Sequence, residues 1–244
     1  MARTIRYREI ADVVRERIES GRYEPGQVLP SESELTAEFD ASRVTVRKAL
    51  ESLRDRRLVD SRQGFGWFVP AVPLQQTLAR LDTLESHLAA SQRASERQVT
   101  GFAFVSAPPA VAAVLNAATV LEVRRLHLAD GRPFARITVW CPEALGSSLS
   151  RADVEAAPFI DLLDVSWGGA VQTIGAQAAG DEDAELLAVP VGSPVLVCRR
   201  TTTDADERPV LMSEHVFPGH LTEFVADLPH VSSSMEPSGL RLVE

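Results

Sequence analysis

Residues 31–69, SESELTAEFDASRVTVRKALESLRDRRLVDSRQGFGWFV, decide the fold of the first part of this chain. Ser31 and Glu34 have the spacing of a capping box, which satisfies backbone N–H groups where a helix begins. The helix that follows is too short to persist alone, so it must pack on its neighbours. A brief turn at residues 40–41 then leads directly into a second helix.

The second helix, which Ser42 caps, has a buried face and a basic face. Apolar residues at helical spacing predict the buried face: Val46, Ala49, Leu50 and Leu53. Arg43 and Arg47 lie four residues apart on the opposite side, beside Thr45 and Lys48. Arginine can bind guanine edges or phosphates, and hydroxyl groups can bind phosphate oxygens. This face therefore suits the major groove of DNA.

A β-hairpin is predicted after this helix. Leu58 and Val59 form its first strand, a polar turn contains Gly64 and Gly66, and residues 67–69 form the return strand. A charge run alone would favour an ordinary helical pair with a solvated basic face and a surface hairpin. The capping box, short turn, basic helix and glycine-tipped hairpin occur in one order, however. That order favours a winged helix-turn-helix that reads DNA, with the hairpin tip in a minor groove.

The distribution of charge agrees with this interpretation. The chain has 244 residues, which favours two domains, and a net charge of -9. Residues 1–70 hold 13 Lys and Arg against 12 Asp and Glu, whereas residues 71–244 hold 12 against 22, a net charge of -10. Residues 41–62 contain seven basic and three acidic side chains. Basic charge is thus concentrated at the second helix and the hairpin, where DNA would bind.

Several other classes of protein are not favoured. Cys141 and Cys198 lie in strand-like segments without a CxxC motif or a nearby histidine, so we expect no metal site, disulfide or cofactor. Arg3, Arg6 and Arg8 lead directly into an amphipathic helix rather than a signal peptide, and no stretch approaches the ~20 apolar residues of a membrane span. We expect a cytoplasmic protein that does not bind membranes.

The flanking segments complete a two-domain plan. Residues 7–20 predict the first helix of a DNA-binding domain over residues 1–70, and Pro25 and Gly26 predict a turn. A linker is expected over residues 71–79. A helix is then predicted by leucines at helical spacing, namely Leu78, Leu81, Leu84 and Leu88. The polar residues 91–98 predict a loop after it.

The second domain, residues 80–244, contains an internal repeat. Residues 120–142 align with residues 195–218 through a Val-Leu pair, an Arg-Arg pair, an acidic turn and a proline that opens the return strand. Each copy is therefore a hairpin, and an apolar strand and a short helix precede each one. The pattern predicts an α+β domain of two β-α-β-β units, joined through residues 151–167, in one antiparallel sheet with helices on one face.

Residues 1 to about 70 resemble the winged helix-turn-helix of the GntR family of bacterial transcription regulators, through LPSESEL, SRVTVRKAL and the glycine of the hairpin. The resemblance places DNA contacts on Ser42, Arg43, Thr45, Arg47 and Gly64. Ser33 stands where the family commonly has an arginine that contacts DNA, and a serine there reaches a phosphate but cannot clamp a guanine. The family's GTFV ending is replaced by FGWFV, so Trp67 alters the packing of the hairpin.

The second domain resembles the UTRA effector domain of the HutC-like subfamily, which shares its fold with chorismate lyase and binds small molecules. The resemblance is carried by RRLHLADGRPFARITVWCP and DAELLAVPVGSPVLVCRRTTTDADERPVLMSEHVF. It places an R-x-R pair that grips anionic effectors on Arg125 and His127, and an acidic residue of the second hairpin on Glu214. A glutamate that members often carry in the first hairpin is here Ile137, beside Arg136, so the resemblance does not imply a sugar phosphate.

Strand alternation provides a physical reason for an anion site. Arg125 and His127 share one face of their strand, Arg136 and Thr138 share one face of the next, and we expect the two pairs to converge across the hairpin. Thr83, near the start of a helix over residues 82–89, is a further expected anion donor. The alternative is that the four strand arginines are solvated on an open sheet face: Arg124, Arg125, Arg199 and Arg200.

The sequence therefore favours a ligand-responsive transcription regulator: a homodimeric repressor that binds double-stranded DNA at an inverted-repeat operator and is released by a small anionic effector. One alternative is an enzyme of chorismate-lyase-like fold, although no nucleophile, base and orienting group occur in motif spacing. Another is an architectural DNA binder whose second domain only dimerises.

Overall fold

The computed structural model describes residues 2–77 and 94–226. Its helices in these ranges are α1 Ala2–Glu19, α2 Glu32–Glu38, α3 Arg43–Asp55, α4 Pro109–Leu115, α5 Glu143–Gly146, α6 Arg151–Ala156, α7 Phe159–Leu162 and α8 Asp181–Leu186. Its strands are β1 Asp60–Arg62, β2 Gly66–Phe68, β3 Leu74–Thr77, β4 Ser95–Ser106, β5 Thr119–Ala129, β6 Arg132–Pro142, β7 Trp167–Ala178, β8 Pro194–Asp204, β9 Pro209–Pro218 and β10 Thr222–Val225. None of the helices in the described ranges is long and apolar enough to cross a membrane.

The first domain is a winged helix-turn-helix, as the sequence predicts. The capping box forms, because Ser31 Oγ accepts from the backbone N–H of Glu34 at 3.2 Å and the Glu34 carboxylate accepts from the backbone N–H of Ser31 at 2.7 Å. The predicted buried face of α3 is confirmed by Val46, Ala49, Leu50 and Leu53, which are all fully buried. The hairpin strands β1 and β2 are antiparallel, but β1 begins at Asp60, and Val59 instead belongs to the helical core.

The second domain contains the predicted repeat. Its six-stranded antiparallel sheet has the order β4-β5-β6-β9-β8-β7, so the two β-α-β-β units meet where β6 pairs with β9. The loop expected over residues 91–98 is wrong in its second half, because β4 already begins at Ser95 and pairs with β5. Residues 74–77, within the expected linker, form β3 and pair in parallel with β10. The helix expected over residues 82–89 lies outside the described residues.

Both faces of the sheet are covered, in contrast to the predicted one-sided layer. The repeat helices α4 and α8 pack on the face that carries Arg136, where Ala184 of α8 and Leu187, the residue after it, join an apolar cluster. The opposite face, which carries Arg125, is covered by the connection through α6 and α7 and by β3 and β10. That face holds apolar side chains such as Leu121 and Val139, which require cover from water.

The two domains are in contact through the β1-β2 hairpin. Phe65 and Phe68 are only 3% and 4% exposed. They share an apolar cluster with residues of the second domain: Ala179, Ala184, Leu187, Val189, Val195, Val197 and Val216. The His220 ring lies 4.5 Å from the Phe65 ring and 5.8 Å from the Phe68 ring, centroid to centroid. Its Nε2 donates to the Gly26 carbonyl oxygen at 2.9 Å, which fixes the tautomer.

A second contact also joins the two domains. Arg132, at the start of β6, donates to the carbonyl oxygen of Pro25 at 2.8 Å and forms an ion pair with Glu24. Gly26 has a φ of +83°, and a Cβ built on it would lie 2.7 Å from Leu221 Cδ2. The predicted turn at Pro25 and Gly26 therefore also provides the surface on which the second domain rests.

His220 makes this interface sensitive to pH. Burial lowers the pKa of His220; the hydrogen bond to Gly26 raises it and the charge of Arg62 lowers it further. Below about pH 6.5 the unfolded chain takes up a proton that the native His220 resists, so stability falls as pH falls. His220→Gln keeps an N–H donor without a titrating ring. We expect its Tm to fall less than that of the wild type between pH 7.5 and pH 5; parallel curves would contradict this.

Candidate DNA-binding surface and effector site

The N-terminal half of α3 presents the predicted DNA contacts on the surface. Ser42, Arg43, Arg47 and Lys48 are exposed and Thr45 is half-buried, while Ser42 Oγ accepts from the Thr45 backbone N–H at 3.3 Å. This cap holds the start of the helix, so the side chains of its first turn project from a fixed backbone.

The hairpin and α2 border the same surface. Arg43 Nη2 lies 3.4 Å from Ser33 Oγ, so Ser33 lies next to α3, the helix that we call the reading helix. Gly64 sits at the exposed hairpin tip with a φ of +76°, a conformation that favours glycine. A groove of about 830 Å³ separates the hairpin from α2 and α3, and both Arg47 and Gly64 line it. Lys48 instead has its Nζ 4.7 Å from the ring centroid of Tyr7, next to α1.

Glu32 is a residue of this surface that sequence reasoning missed. Its Oε1 accepts from Arg47 Nε at 3.0 Å and from Trp67 Nε1 at 3.2 Å, and its Oε2 accepts from Arg47 Nη2 at 2.8 Å. The hydrogen bond from Arg47 holds the pKa of Glu32 below its ordinary value, the bond from Trp67 and the charge of Arg43 act in the same direction, and burial opposes them. These contacts join three separate elements, so no local pattern announces them.

In the second domain, Arg125 and His127 lie on the same face of β5, as predicted. They are 6% and 1% exposed, which contradicts the alternative in which Arg125 is solvated. The Arg125 guanidinium carbon lies 5.4 Å from the ring centroid of Phe159, on α7. A buried cation is stable only when neighbouring groups compensate its charge, and the Phe159 ring is one such group for Arg125.

Arg136 does not converge with Arg125, and that expectation is wrong. Arg125 pairs with Ile137, and Leu126 pairs with Arg136, so Arg136 and Thr138 lie on the opposite face of the sheet. The cause is a β-bulge. His127 pairs with Ala135 while Leu128 pairs with Pro133, which leaves Phe134 as an extra residue in β6. One extra residue shifts the register by one and turns every later side chain to the other face.

Glu214 also lies on the Arg136 face, so it does not meet Arg125 as expected. Arg136 donates to Asp183 Oδ1 at 2.5 Å and to Glu214 Oε1 at 3.1 Å, and Arg199 donates to Glu214 Oε2 at 2.8 Å. Burial alone would lower the pKa of Arg136, but Asp183 and Glu214 raise it above its ordinary value. These four side chains form a closed ionic network between the sheet and α8.

The residues that share the face of Arg125 were missed by sequence reasoning, apart from His127. His215 pairs with Ile137 and therefore lies in the same row as Arg125. Further polar residues on this face follow from the same pairings, among them Arg97, Gln172, Arg200 and Ser213. His215 Nε2 lies 3.0 Å from Ser213 Oγ, and Arg200 donates to Gln172 at 2.8 Å.

The described strand residues of this face are mostly basic, neutral polar or apolar. Among the described strand residues, Asp204 is its single carboxylate, and Asp204 accepts from the backbone N–H groups of Asp206 and Arg208 in the adjacent turn. The other carboxylates of the paired strands lie on the Arg136 face. Arginine and histidine side chains supply the positive charge and the N–H donors that an anion site requires. Thr83, the expected further donor, lies outside the described residues, and no cluster within the described ranges has the composition of a metal site.

The network on the Arg136 face has a structural consequence. We expect Arg136→Ala to lower the free energy of unfolding by ~1–3 kcal/mol, because two half-buried carboxylates lose their shared cation. Arg199→Ala is the matched control, since its side chain is 61% exposed, and its loss should stay below ~1 kcal/mol. Urea denaturation measures both, and equal losses would contradict the difference in burial.

Comparison with known proteins follows the division of the chain into two domains. Residues 6–69 match the model of bacterial regulatory proteins of the gntR family, and residues 90–222 match the UTRA domain. An HTH-type transcriptional regulator of Mycobacterium tuberculosis is 31% identical over 210 residues, 83% of this chain and 78% of the relative. The HTH-type transcriptional repressor NagR of Bacillus subtilis is 26% identical over 202 residues, 80% of this chain and 83% of the relative.

The fold is also shared with a solved structure. The crystal structure of PhnF from Mycobacterium smegmatis superposes with a TM-score of 0.57 at 21% identity, over 90% of this chain and 98% of that one. A basic reading helix, a glycine-tipped wing and a separate sheet domain define a ligand-responsive, DNA-binding transcription regulator. The chain belongs to the GntR family of bacterial regulatory proteins and carries a UTRA domain as its second domain.

Proposed function

We propose that this protein is a repressor that acts in the cytoplasm as a homodimer, binds an inverted-repeat operator and leaves it when a small anion occupies the second domain. The proposal includes no cofactor and no catalytic activity. The relatives named as repressors, NagR among them, support the direction of control. The observation that carries the proposal is the separation of two basic surfaces, one exposed on α3 and one buried under α7.

The exposed surface supports DNA binding by a dimer. The side chains that can reach base edges from one α3 are few, so one reading helix provides limited affinity and specificity. A two-fold dimer presents two copies of that helix to two half-sites, which favours an inverted repeat. The proposed contacts are Ser33, Ser42, Arg43, Thr45, Arg47, Lys48 and Gly64.

Arg43 tests this part of the proposal. We expect Arg43→Ala to weaken binding to a selected operator by about 10- to 100-fold and to relax preference at one base pair of each half-site if Arg43 reads a base. If it binds a phosphate, all sequences lose affinity alike and the salt slope falls by about one unit per site. Arg22→Ala removes an exposed charge outside α3 and is the control. Equal wild-type affinity for operator and random DNA would overturn the proposal.

The buried basic residues of β5, Arg125 and His127, support the binding of an anionic effector. Residues 71–244 have a net charge of -10 and repel anions at long range, so an anion needs cations and hydrogen-bond donors at short range. Arg125 and His127 supply them from β5, and His215 lies two strands away in the same row, about 10 Å at the strand spacing of a sheet. Thr83 is retained as a proposed donor. Arg136 and Glu214 have no proposed contact with an anion in this site, because they face the other way.

Arg125 tests the effector site. In a thermal-shift screen of small carboxylates and phosphate esters, we expect at least one compound to raise the Tm of the wild type, because a ligand of the native state stabilises it. The same compound should release the wild type, but not Arg125→Ala, from labelled operator. Arg199→Ala, an arginine on the opposite face, should respond as the wild type does. If Arg125→Ala also responds as the wild type does, the anion site lies elsewhere.

A further inference from the structure

Neighbouring side chains of β2 enter two different cores. Trp67 is 8% exposed and packs in the core of the DNA-binding domain, whereas Phe68 is 4% exposed and packs in the cluster shared with the second domain. Alternation along a strand produces this division, because successive side chains point to opposite faces. β2 is therefore held from both sides, and the indole of Trp67 has a fixed position.

That fixed position is used to hold a carboxylate. Trp67 Nε1 donates to Glu32 Oε1 at 3.2 Å, and the Arg54 guanidinium carbon lies 5.7 Å from the Trp67 ring centroid. Glu32 lies in the first turn of α2 and is 22% exposed, on a surface that has to approach DNA phosphates. A carboxylate at such a place opposes the approach of DNA, so its presence calls for a compensating role.

The geometry of Arg47 indicates that role. Glu32 binds it through Nε and Nη2, two bonds in a fixed fork. A guanidinium has five N–H donors, so these bonds leave both hydrogens of Nη1 and one of Nη2. The Nη1–Nη2 edge is the one that can bind guanine O6 and N7 in a bidentate manner. Glu32 thus restrains the rotation of a long side chain without using the edge that reads a base.

We infer that Glu32 and Trp67 are positioning residues for base reading: Trp67 fixes Glu32, and Glu32 aims Arg47 at one base pair of each half-site. The inference rests on the proposed function, in which Arg47 meets operator DNA. It assigns a specific task to the tryptophan of the FGWFV ending. Restraint before binding lowers the entropy lost when Arg47 meets its base, and so favours the correct sequence.

Two conservative substitutions test the inference in the full chain, with an operator duplex selected by the wild type from a random-sequence library. Trp67→Phe removes the indole N–H and keeps an aromatic ring in the core. We expect operator affinity to fall by about 3- to 10-fold, with random-DNA affinity within about twofold of the wild type. Glu32→Gln removes the ionic fork. We expect about a tenfold loss on operator and an unchanged or higher affinity for random DNA, because a negative charge has gone.

Base preference at each operator position distinguishes a positioning role from a structural one, because a loss of stability alone would not change it. Both variants should relax preference at the base pair where Arg47→Ala relaxes it, and neither should relax it further in the Arg47→Ala background. If Trp67→Phe lowers Tm strongly, Glu32→Gln alone decides the matter. Equal losses on operator and random DNA would overturn the inference, as would wild-type preference in both variants. If Arg47→Ala itself keeps the full preference, the proposed role of Arg47 in reading fails instead.

Discussion

The pairing of β6 with β9 is the interaction on which the second domain depends. It joins two β-α-β-β units that would otherwise each end in an open sheet edge, and it places Ile137 opposite His215. This register, together with the bulge at Phe134, decides which charged side chains meet. Basic groups collect on one face, and the paired acids and bases form a network on the other. The register and the bulge together thus separate the proposed anion site from a network of paired charges.

Much of this architecture is readable from sequence because its signals are local. The capping box at Ser31, the apolar face of α3 and the two hairpins of the repeat depend on residues a few positions apart, and the structure has each of them. The DNA-binding face is equally local. The face that carries Arg125 does not follow from local signals, because its composition depends on a bulge that has no sequence signature and on pairing between strands about 80 residues apart. Arg136 was misplaced for the first reason, and His215 was missed for the second.

The hairpin of the first domain contacts both the second domain and α2. Its exposed tip glycine lines the groove beside α2 and α3, whereas Phe65 and Phe68 are buried against the second domain beside His220. Trp67, also in β2, donates a hydrogen bond to Glu32 in α2. A change in the second domain that moves the residues around Phe65 and Phe68 therefore also acts on β2, the strand that holds Trp67. β2, a strand of three residues, therefore lies between the second domain and α2.

Regulators built from a reading head and a ligand domain invite recombination, in which the head of one is joined to the sensor of another. The burial of Phe65 and Phe68 against the second domain limits which hybrids can be stable. A chain cut after Val69 would carry Phe65 and Phe68 to a sensor that has no place for them, and two exposed rings on one small hairpin would favour aggregation. A usable hybrid must bring the matching surface around Val189 and His220, or replace both rings with polar residues. The DNA-binding domain of this protein therefore cannot be moved to another sensor domain without also moving or replacing the surface that contacts it.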